Sequence, residues 1–525
     1  MATIRPNVLL ITLDQMRFDA LRCAGNQHID TPYMDELAAA GVRFVNAFSE
    51  CPACVPARRC LMTGRDMYAC DQFNNHPPST FTDKGPFLAE CFGTAGYQTH
   101  AVGKMHVSPP RFRVGFDAVQ LDEENRRHDS MRQDDYQAWL ADQGLLAQSV
   151  AHAMPCNGYH ARPDSLPESH GHDAWVAQEA CRFLERRDPT VPFFLYASFR
   201  NPHPPLIPPR YYWDLYADRN IPEPKHGNWV DDRSPAFLER LRAMHRMDAV
   251  YSLEDRRRAI RAYYALVTSI DHQIGLILAQ LQEYWQTGKT IVLLTADHGE
   301  MLFDHQSLAK GQFYRAGAGV PFIVVPPSDL DLGIGRGEIR EQPVLLQDVM
   351  PTVLDMAGLP IPESCDGISQ LPVLRDANAR VREYAFGAYY HDVTLGIGAA
   401  LDNATYCIHD EQWKYIYNVE GGIEHLFRVA DRHDEYDLAQ DPAQTQRLHQ
   451  YRERLRDQLR RHGDGNLIAN GLRVTPVQEP KPKRGINLKG THGIAWPSIP
   501  MYDFATTDSY RALISDGDPS KPYLM

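Results

Sequence analysis

The sequence predicts an α/β fold built on a large, mixed and mostly parallel sheet sandwiched by helices. Over about the first 370 residues, short apolar runs alternate with amphipathic stretches, the pattern of strands that helices connect and cover. The runs predicted as strands are residues 8–13, 98–102, 191–199, 291–295 and 320–325. Polar residues directly follow the first four runs, and ligands of open α/β sheets bind at the carboxyl ends of strands. We therefore expect a functional site at that edge.

The remaining pattern divides the chain into three parts. Helices are predicted at residues 172–187 and 254–285, and a shorter one begins at Thr31-Pro32 and ends at Gly41. Residues 405–418 predict antiparallel strands, and residues 444–462 a charged amphipathic helix. We expect a main domain at 1–375, a smaller C-terminal α+β subdomain with a short antiparallel sheet at 376–464, and a tail at 465–525 as a candidate intersubunit element.

Composition excludes several classes of protein. With 525 residues, 43% hydrophobic and 23% charged, the chain is not wholly disordered. Its 54 basic and 67 acidic residues give a net charge of −13, which argues against nucleic acid or an anionic membrane as a partner. Its apolar runs fall short of the ~20 residues that a membrane span needs. Ten cysteines are too few for a disulfide scaffold. With no targeting segment visible, we expect a cytoplasmic protein with reduced thiols.

The strongest chemical signal runs from Cys54 to Arg65, with the sequence CVPARRCLMTGR. Pro56 suits the first turn of a helix, which places Cys54 at the helix N-terminus, where backbone N–H groups favour anions. Arg58 then lies one turn further along on the same face. A nucleophile beside a fixed cation at an anion-binding helix end suits a charged ester as substrate.

This motif resembles the signature of the type I sulfatases, Cys-x-Pro-x-Arg followed by Thr-Gly-Arg. That family belongs to the alkaline-phosphatase-like superfamily, which also holds phosphonate monoester hydrolases. The resemblance covers roughly residues 6–442, because further family motifs recur in order. It implies that a formylglycine-generating enzyme oxidises Cys54 to formylglycine. Cys51 is not the matching position, since Ala53 stands where its proline would be.

A second pattern predicts a metal site. Asp14-Gln15 follows the first predicted strand and Asp297-His298 follows the fourth. Carboxylate and amide oxygens suit a hard divalent cation, and an imidazole adds a borderline donor. The resemblance implies a divalent cation held by these four residues and by the modified Cys54. Many members have Asp-Asp and Asp-Asn at these positions, so the ligand charge is lower here; Ca²⁺ is the first choice, with Mn²⁺ and Mg²⁺ next.

Two further motifs supply candidate catalytic groups. Lys104 and His106 lie two residues apart after the second predicted strand, so both side chains point the same way in an extended segment. His203 lies between prolines that stiffen its loop after the third strand. The resemblance implies that Lys104, Arg58 and Lys310 neutralise the sulfate oxygens. It also implies that His106 holds or deprotonates the formylglycine diol, and that His203 protonates the leaving oxygen.

The predicted function is hydrolysis of a small alkyl or aryl sulfate ester to an alcohol and sulfate. No long basic groove for a sulfated polysaccharide is evident, and specificity is expected from residues 108–169 and 220–240. The tail favours a homo-oligomer, a dimer or a tetramer. The alternatives are a phosphonate monoester or phosphodiester hydrolase on the same scaffold, and a non-catalytic binding protein.

Overall fold

The computed structural model describes residues 5–75, 85–123, 134–154, 157–245, 251–391, 400–469 and 471–477. Most of the predicted tail at 465–525, with its aromatic residues, lies outside this described part.

The strands fall into one large sheet, a second antiparallel sheet and two short pairs. In chain order they are β1 (Asn7–Asp14), β2 (Val42–Phe44), β3 (Ala47–Phe48), β4 (Gln98–Gly103), β5 (Ala118–Leu121), β6 (Phe193–Pro202), β7 (Thr290–Ala296), β8 (Phe322–Val325), β9 (Glu338–Arg340), β10 (Val344–Leu345), β11 (Ala385–Tyr390), β12 (Ala404–His409), β13 (Trp413–Asn418), β14 (Ile423–Arg428), β15 (Leu467–Ile468) and β16 (Gly471–Leu472).

The large sheet is mixed and mostly parallel, which confirms the predicted fold class. Within the described residues it has eight strands in the order β5-β4-β6-β1-β7-β8-β2-β9. Neighbouring strands from β5 to β7 pair in parallel, and β8 is antiparallel to both β7 and β2. Every residue of β1, β6 and β7 is buried, because helices cover both faces of a central parallel sheet.

The helices are α1 (Pro32–Ala40), α2 (Cys54–Thr63), α3 (Leu88–Thr94), α4 (Asp135–Asp142), α5 (His172–Arg186), α6 (Arg210–Leu215), α7 (Ala236–His245), α8 (Leu253–Glu283), α9 (Arg315–Ala318), α10 (Val349–Met356), α11 (Leu371–Arg375) and α12 (Thr445–His462). The long helix α8 begins at a capping box, in which Ser252 and Asp255 satisfy each other's backbone N–H groups. Its contacts with α1, α5 and α6 form one helical layer. On another face, Leu10 and Phe194 line an apolar cavity with Leu61 of α2 and Leu88 of α3.

The structure extends one predicted strand and shows regular elements in one stretch that had no predicted strand or helix. The third run continues to Pro202 rather than ending at residue 199, because its polar end still pairs with β1. Residues 108–169, for which no strand or helix was predicted, include the edge strand β5 and the helix α4.

The C-terminal part forms the predicted antiparallel sheet, in the order β11-β12-β13-β14, with α12 against it. Trp413, Tyr415 and Tyr417 lie on one face of β13 and pack in the hydrophobic cluster that also holds Leu455 of α12. The chain stays attached to this sheet past residue 464, since the Thr475 backbone bonds to Val419 and Gly421. No helix in the described part of the chain is both long enough and apolar enough to cross a bilayer.

Candidate active site

The predicted functional side chains follow four strands that are neighbours in the large sheet. Strands β4, β6, β1 and β7 lie side by side in that order and run parallel. Lys104 follows β4, Asp14 ends β1, and Asp297 follows β7. His203 follows β6, whose last residue pairs with Asp14 in the register of the two strands. Parallel strands thus bring these residues to one edge of the sheet.

Helix α2 brings Cys54 to the same edge. Cys54 is the first residue of the helix, and Pro56 lies in its first turn, where no backbone donor is lost. The thiol is fully buried, with Sγ 3.2 Å from His298 Nε2 and 3.7 Å from Asp14 Oδ1. The helix start that Pro56 favours therefore also positions the candidate nucleophile.

Four buried side chains form a group that could hold a metal ion. One ligand atom from each of Asp14, Cys54, Asp297 and His298 lies within 4.8 Å of every other. His298 Nδ1 lies 2.9 Å from the carbonyl oxygen of Gly299 and donates to it, which leaves Nε2 directed at the group. Two carboxylates suit a hard divalent cation, and the imidazole adds a borderline donor. The residues present therefore fit the implied cation.

Gln15, the remaining predicted metal ligand, borders this group. Its backbone has a φ of 66°, in the left-handed region, and its N–H donates to Asp297 Oδ1 at 3.0 Å. Its side-chain Oε1 accepts a hydrogen bond from Lys310 Nζ at 2.8 Å. The same ammonium lies 3.2 Å from Cys54 Sγ, so the Gln15 oxygen faces the region that Cys54 occupies.

Arg58 binds the carboxylates of the group. Its Nε lies 2.9 Å from Asp297 Oδ2 and its Nη2 3.4 Å from Asp14 Oδ2. Its Nη1 donates to the Lys104 carbonyl at 2.7 Å and to Ser198 Oγ at 2.8 Å. A guanidinium that is only 1% exposed requires such pairing. These contacts make Arg58 a counter-charge for the carboxylates of Asp14 and Asp297, and its implied contact with sulfate stays a prediction.

The two lysines place positive charge around position 54. Lys104 is fully buried and forms an ion pair with Asp14, and its backbone N–H continues the pairing of β4 with β6 through the Ser198 carbonyl. Lys310 approaches Cys54 from the loop after β7. Cationic groups on two sides of a buried atom suit a site that receives an anion.

The charges around Cys54 act on its ionisation. Burial favours the neutral thiol and Asp14 adds to this effect, but Lys104, Lys310 and His298 together hold the pKa of Cys54 below its usual value. Burial also lowers the pKa of His298, and Asp297 and Cys54 more than offset it, so that this pKa is raised. The site thus favours negative charge at position 54.

The two candidate catalytic histidines lie at the same edge. His106 has a φ of 52°, and its backbone N–H donates to Glu123 Oε1 at 2.8 Å, which holds the turn after Lys104. His203 is fully buried, and its Nδ1 donates to the Pro204 carbonyl at 2.6 Å. That bond commits Nδ1, so Nε2 is the ring atom suited to proton transfer.

Sequence reasoning missed several residues that hold this site together. Tyr196 and Ser198 on β6 contact Arg58, and Glu123 orders the Lys104 turn. Glu300, three residues after Asp297, accepts a hydrogen bond from the Gln15 side chain, a role that we did not predict. The position of Glu300 in the motif after β7 could have marked it as part of the site. No pattern in the sequence distinguishes Tyr196, Ser198 or Glu123.

Trp229, in the middle of the 220–240 stretch, lies in the core of the protein. Trp229 is buried, stacks on Tyr314 at 4.4 Å and donates to the Asp434 carbonyl at 2.8 Å. This part of the stretch ties the main domain to the C-terminal part.

Comparison with known proteins places the chain in a family. A family model described as "Sulfatase" matches residues 6–359, and one described as "N-sulphoglucosamine sulphohydrolase, C-terminal" matches residues 303–462. An arylsulfatase of Clostridium perfringens is 32% identical over 501 residues, covering 90% of this chain and 99% of the relative. A choline-sulfatase of Rhizobium meliloti is 26% identical and covers 79% of each chain.

Solved structures show the same fold. The phosphonate monoester hydrolase of Agrobacterium radiobacter superposes with a TM-score of 0.72 at 24% identity, covering 87% of this chain and 96% of that chain. A solved 2-O glycosaminoglycan sulfatase, BT1596, has a TM-score of 0.67 at 23% identity, covering 88% and 93% of the two chains. The family model that spans most of the chain and the arylsulfatase relative decide the classification: the chain belongs to the sulfatase family and is an enzyme that hydrolyses sulfate esters.

Proposed function

We propose that this sulfatase cleaves a small alkyl or aryl sulfate ester, and that Cys54 acts after conversion to formylglycine. The observation that carries the proposal is the position of the Cys54 side chain. It lies within the metal-ligand group and 3.2 Å from Lys310 Nζ, at the first turn of α2. A nucleophile derived from this side chain would meet an anionic ester where positive charge converges.

The proposed cofactors fit the residues around them. Asp14, Gln15, Asp297 and His298 would hold one divalent cation together with position 54, and Ca²⁺ is the first choice for this oxygen-rich set. A bound cation supplies Lewis acidity, and formylglycine supplies the diol that acts as nucleophile. Because Cys54 is buried in the folded chain, we propose that the formylglycine-generating enzyme acts before folding.

The chain's own residues would divide the remaining tasks. Lys104 and Lys310 neutralise charge on the sulfate oxygens, and Arg58 keeps the two carboxylates oriented. His106 receives or holds a proton of the diol, and His203 delivers a proton from Nε2 to the departing oxygen. The barrier is lowered by groups already fixed by buried hydrogen bonds, so little reorganisation accompanies the reaction.

We also propose a cytoplasmic location and a homo-oligomer. The nine cysteines in the described part of the chain are all free, as a reducing compartment would allow. The oligomer rests on the length and aromatic content of the tail, and light scattering on the whole chain tests it.

Two measurements test the proposed function. Mass spectrometry of the peptide that spans position 54, after co-expression with the modifying enzyme, should show formylglycine or its hydrate. Unmodified Cys54 in an active preparation would contradict the mechanism. Initial rates on an aryl sulfate, an aryl phosphonate monoester and an aryl phosphodiester, with the metal varied, should give the highest kcat/KM for the sulfate.

A phosphonate monoester or phosphodiester hydrolase is the second candidate. The neutral Gln15, where many family members have an aspartate, lowers the charge of the metal-ligand set, and the fold matches a phosphonate monoester hydrolase with a TM-score of 0.72. A higher kcat/KM for the phosphorus esters in the same assay would favour this candidate.

A further inference from the structure

The buried carboxylate of Glu300 lies between Gln15 and the loop that carries Lys310. Its Oε1 accepts from the backbone N–H groups of Leu302 and Ala309, both at 2.8 Å. Its Oε2 accepts from the Tyr159 hydroxyl at 2.6 Å and from the Gln15 side-chain amide. Four donors therefore fill the acceptor positions of one carboxylate.

These contacts decide which atom of Gln15 faces the metal-ligand group. The two Glu300 oxygens act as acceptors toward all four donors, so the amide turns its NH₂ toward Glu300. The second hydrogen of that NH₂ reaches the Tyr159 hydroxyl at 3.1 Å. The amide oxygen is then left for Lys310 Nζ, at 2.8 Å, on the side of Cys54. A flipped amide would set its oxygen against the carboxylate and its NH₂ against the ammonium.

The same carboxylate closes the loop that precedes Lys310. Leu302 and Ala309, whose N–H groups it binds, lie near the two ends of this loop. Leu302, Phe303, His305, Gln306 and Ala309 all have φ between 44° and 73°, in the left-handed region. Non-glycine residues keep such backbone angles only where surrounding contacts impose them.

We propose that Glu300 is a positioning residue that directs the Gln15 amide oxygen toward the bound cation and fixes the loop that delivers Lys310. This inference rests on the proposed metal-dependent function. It also gives a physical reason for an amide at position 15: a carboxylate there would lie against the carboxylate of Glu300, with no proton between them.

An exchange of charge between the two positions tests the proposal. Glu300→Gln presents a second amide to Gln15, so the carboxylate that orients the Gln15 amide is lost. The double variant Gln15→Glu/Glu300→Gln keeps both shapes and the net charge but places the carboxylate on the cation side. Glu50→Gln is the matched control, because Glu50 is also buried and accepts two backbone N–H bonds, from Leu346 and Gln347.

The first readout is the affinity for Ca²⁺ and Mn²⁺, measured by calorimetric titration of the full-length chains. Glu300→Gln should weaken binding about 10- to 100-fold, the usual effect of removing an outer partner of a ligand. The double variant should recover most of this loss, and Glu50→Gln should bind as the wild type does. The second readout, hydrogen exchange at the Leu302 and Ala309 amides, should accelerate in Glu300→Gln and not in the control.

Unchanged cation affinity in Glu300→Gln would overturn the proposal, and so would an equal loss in the single and double variants. Should Glu300→Gln fail to fold, Tyr159→Phe removes a milder part of the same network and should still weaken binding; wild-type affinity there would equally overturn the inference. A wild-type chain that bound neither cation would refute the proposed function instead. Hydrogen exchange at the backbone amides of Leu302 and Ala309 would then still decide whether Glu300 fixes the loop.

Discussion

At the scale of single residues, the site is a set of buried charges that satisfy one another. Arg58 pairs with Asp14 and Asp297, and Lys104 pairs with Asp14. Removing one member leaves the others buried without a partner, which costs far more than a surface ion pair is worth. Cys54 is the exception, because its side chain is small and carries no obligatory partner charge. Substitutions there report on chemistry more than on folding.

Cys54→Ala should abolish sulfate ester hydrolysis while the protein stays folded. The change removes the precursor of the nucleophile and only one buried sulfur atom. Initial rates on an aryl sulfate, with circular dichroism melting as the folding control, check this outcome. Turnover near the wild-type rate would refute the assignment of position 54.

His203→Ala should slow substrates with poor leaving groups much more than those with good ones. A general acid contributes typically 10²- to 10⁴-fold when the departing oxygen needs a proton, and little when it leaves readily as an anion. Comparing phenyl sulfate with 4-nitrophenyl sulfate measures the difference. His449→Ala, an exposed histidine on α12, is the control. Equal losses on both substrates would rule out a general-acid role.

At the scale of elements, a hydrogen bond between the side chains of Asp173 and Asn201 helps to join the start of α5 to the end of β6. Asp173 lies in the first turn of α5, and its Oδ2 accepts from the Asn201 side-chain amide at 2.8 Å. Its Oδ1 is buried and has no hydrogen-bond partner among the residues that the structure describes. Burial raises the pKa of Asp173 to about 7, although the bond from Asn201 acts in the opposite direction. Ionisation of this buried carboxyl therefore costs folding free energy, because the loss of hydration outweighs the bond from Asn201.

Stability should depend on pH through Asp173. Between pH 4 and 7 the Asp173 carboxyl keeps its proton in the folded chain but has lost it in the unfolded chain. Its contribution to the free energy of unfolding therefore falls as pH rises, by up to about 1.4 kcal/mol per pH unit. Above pH 7 this contribution levels off. Asp173→Asn keeps the acceptor for Asn201 and removes the ionisation. Its Tm should exceed the wild-type Tm at pH 8 by more than at pH 5. A difference that stays constant with pH would contradict this.

At the scale of the whole molecule, the C-terminal sheet shares its core with the main domain. One hydrophobic cluster joins Phe48 and Trp229 of the main domain to Phe427 of β14, and another joins Cys60 of α2 to Tyr406 of β12. Neither face of the C-terminal sheet is therefore covered by its own part of the chain alone. We expect a single cooperative unfolding transition rather than two.

Asp464 connects the main domain with the C-terminal sheet through hydrogen bonds from three tyrosines. It accepts hydrogen bonds from the hydroxyls of Tyr68, Tyr390 and Tyr406, at 2.5, 2.7 and 2.9 Å. Asp464→Ala should lower the free energy of unfolding by about 3 kcal/mol or more, because three hydroxyls lose a charged acceptor. Asp457→Ala, which breaks an exposed pair with Arg460, should cost less than about 1 kcal/mol. Chemical denaturation of both variants measures the two costs, and equal values would show that the Asp464 contacts contribute little.

Much of the site was predictable because its residues occur in short, ordered motifs. Asp14 and Asp297 follow apolar runs that can only be buried strands, and Pro56 marks the turn of helix that begins at Cys54. The fold class followed from the same alternation. The edge strand β5 escaped prediction because its residues are mostly exposed or half-buried and carry no apolar run.

The sequence by itself determined the fold class, the family resemblance and the identity of the residues at the strand ends, because each depends on local pattern and chain order. Only the tertiary structure decided which side chains pair: that Arg58 serves the carboxylates, that Glu300 turns the amide of Gln15, and that Trp229 is a core residue. The partners Arg58–Asp297 and Glu300–Gln15 are separated by 239 and 285 residues. Their contact depends on the order of strands in the sheet, which the spacing of residues along the chain does not encode.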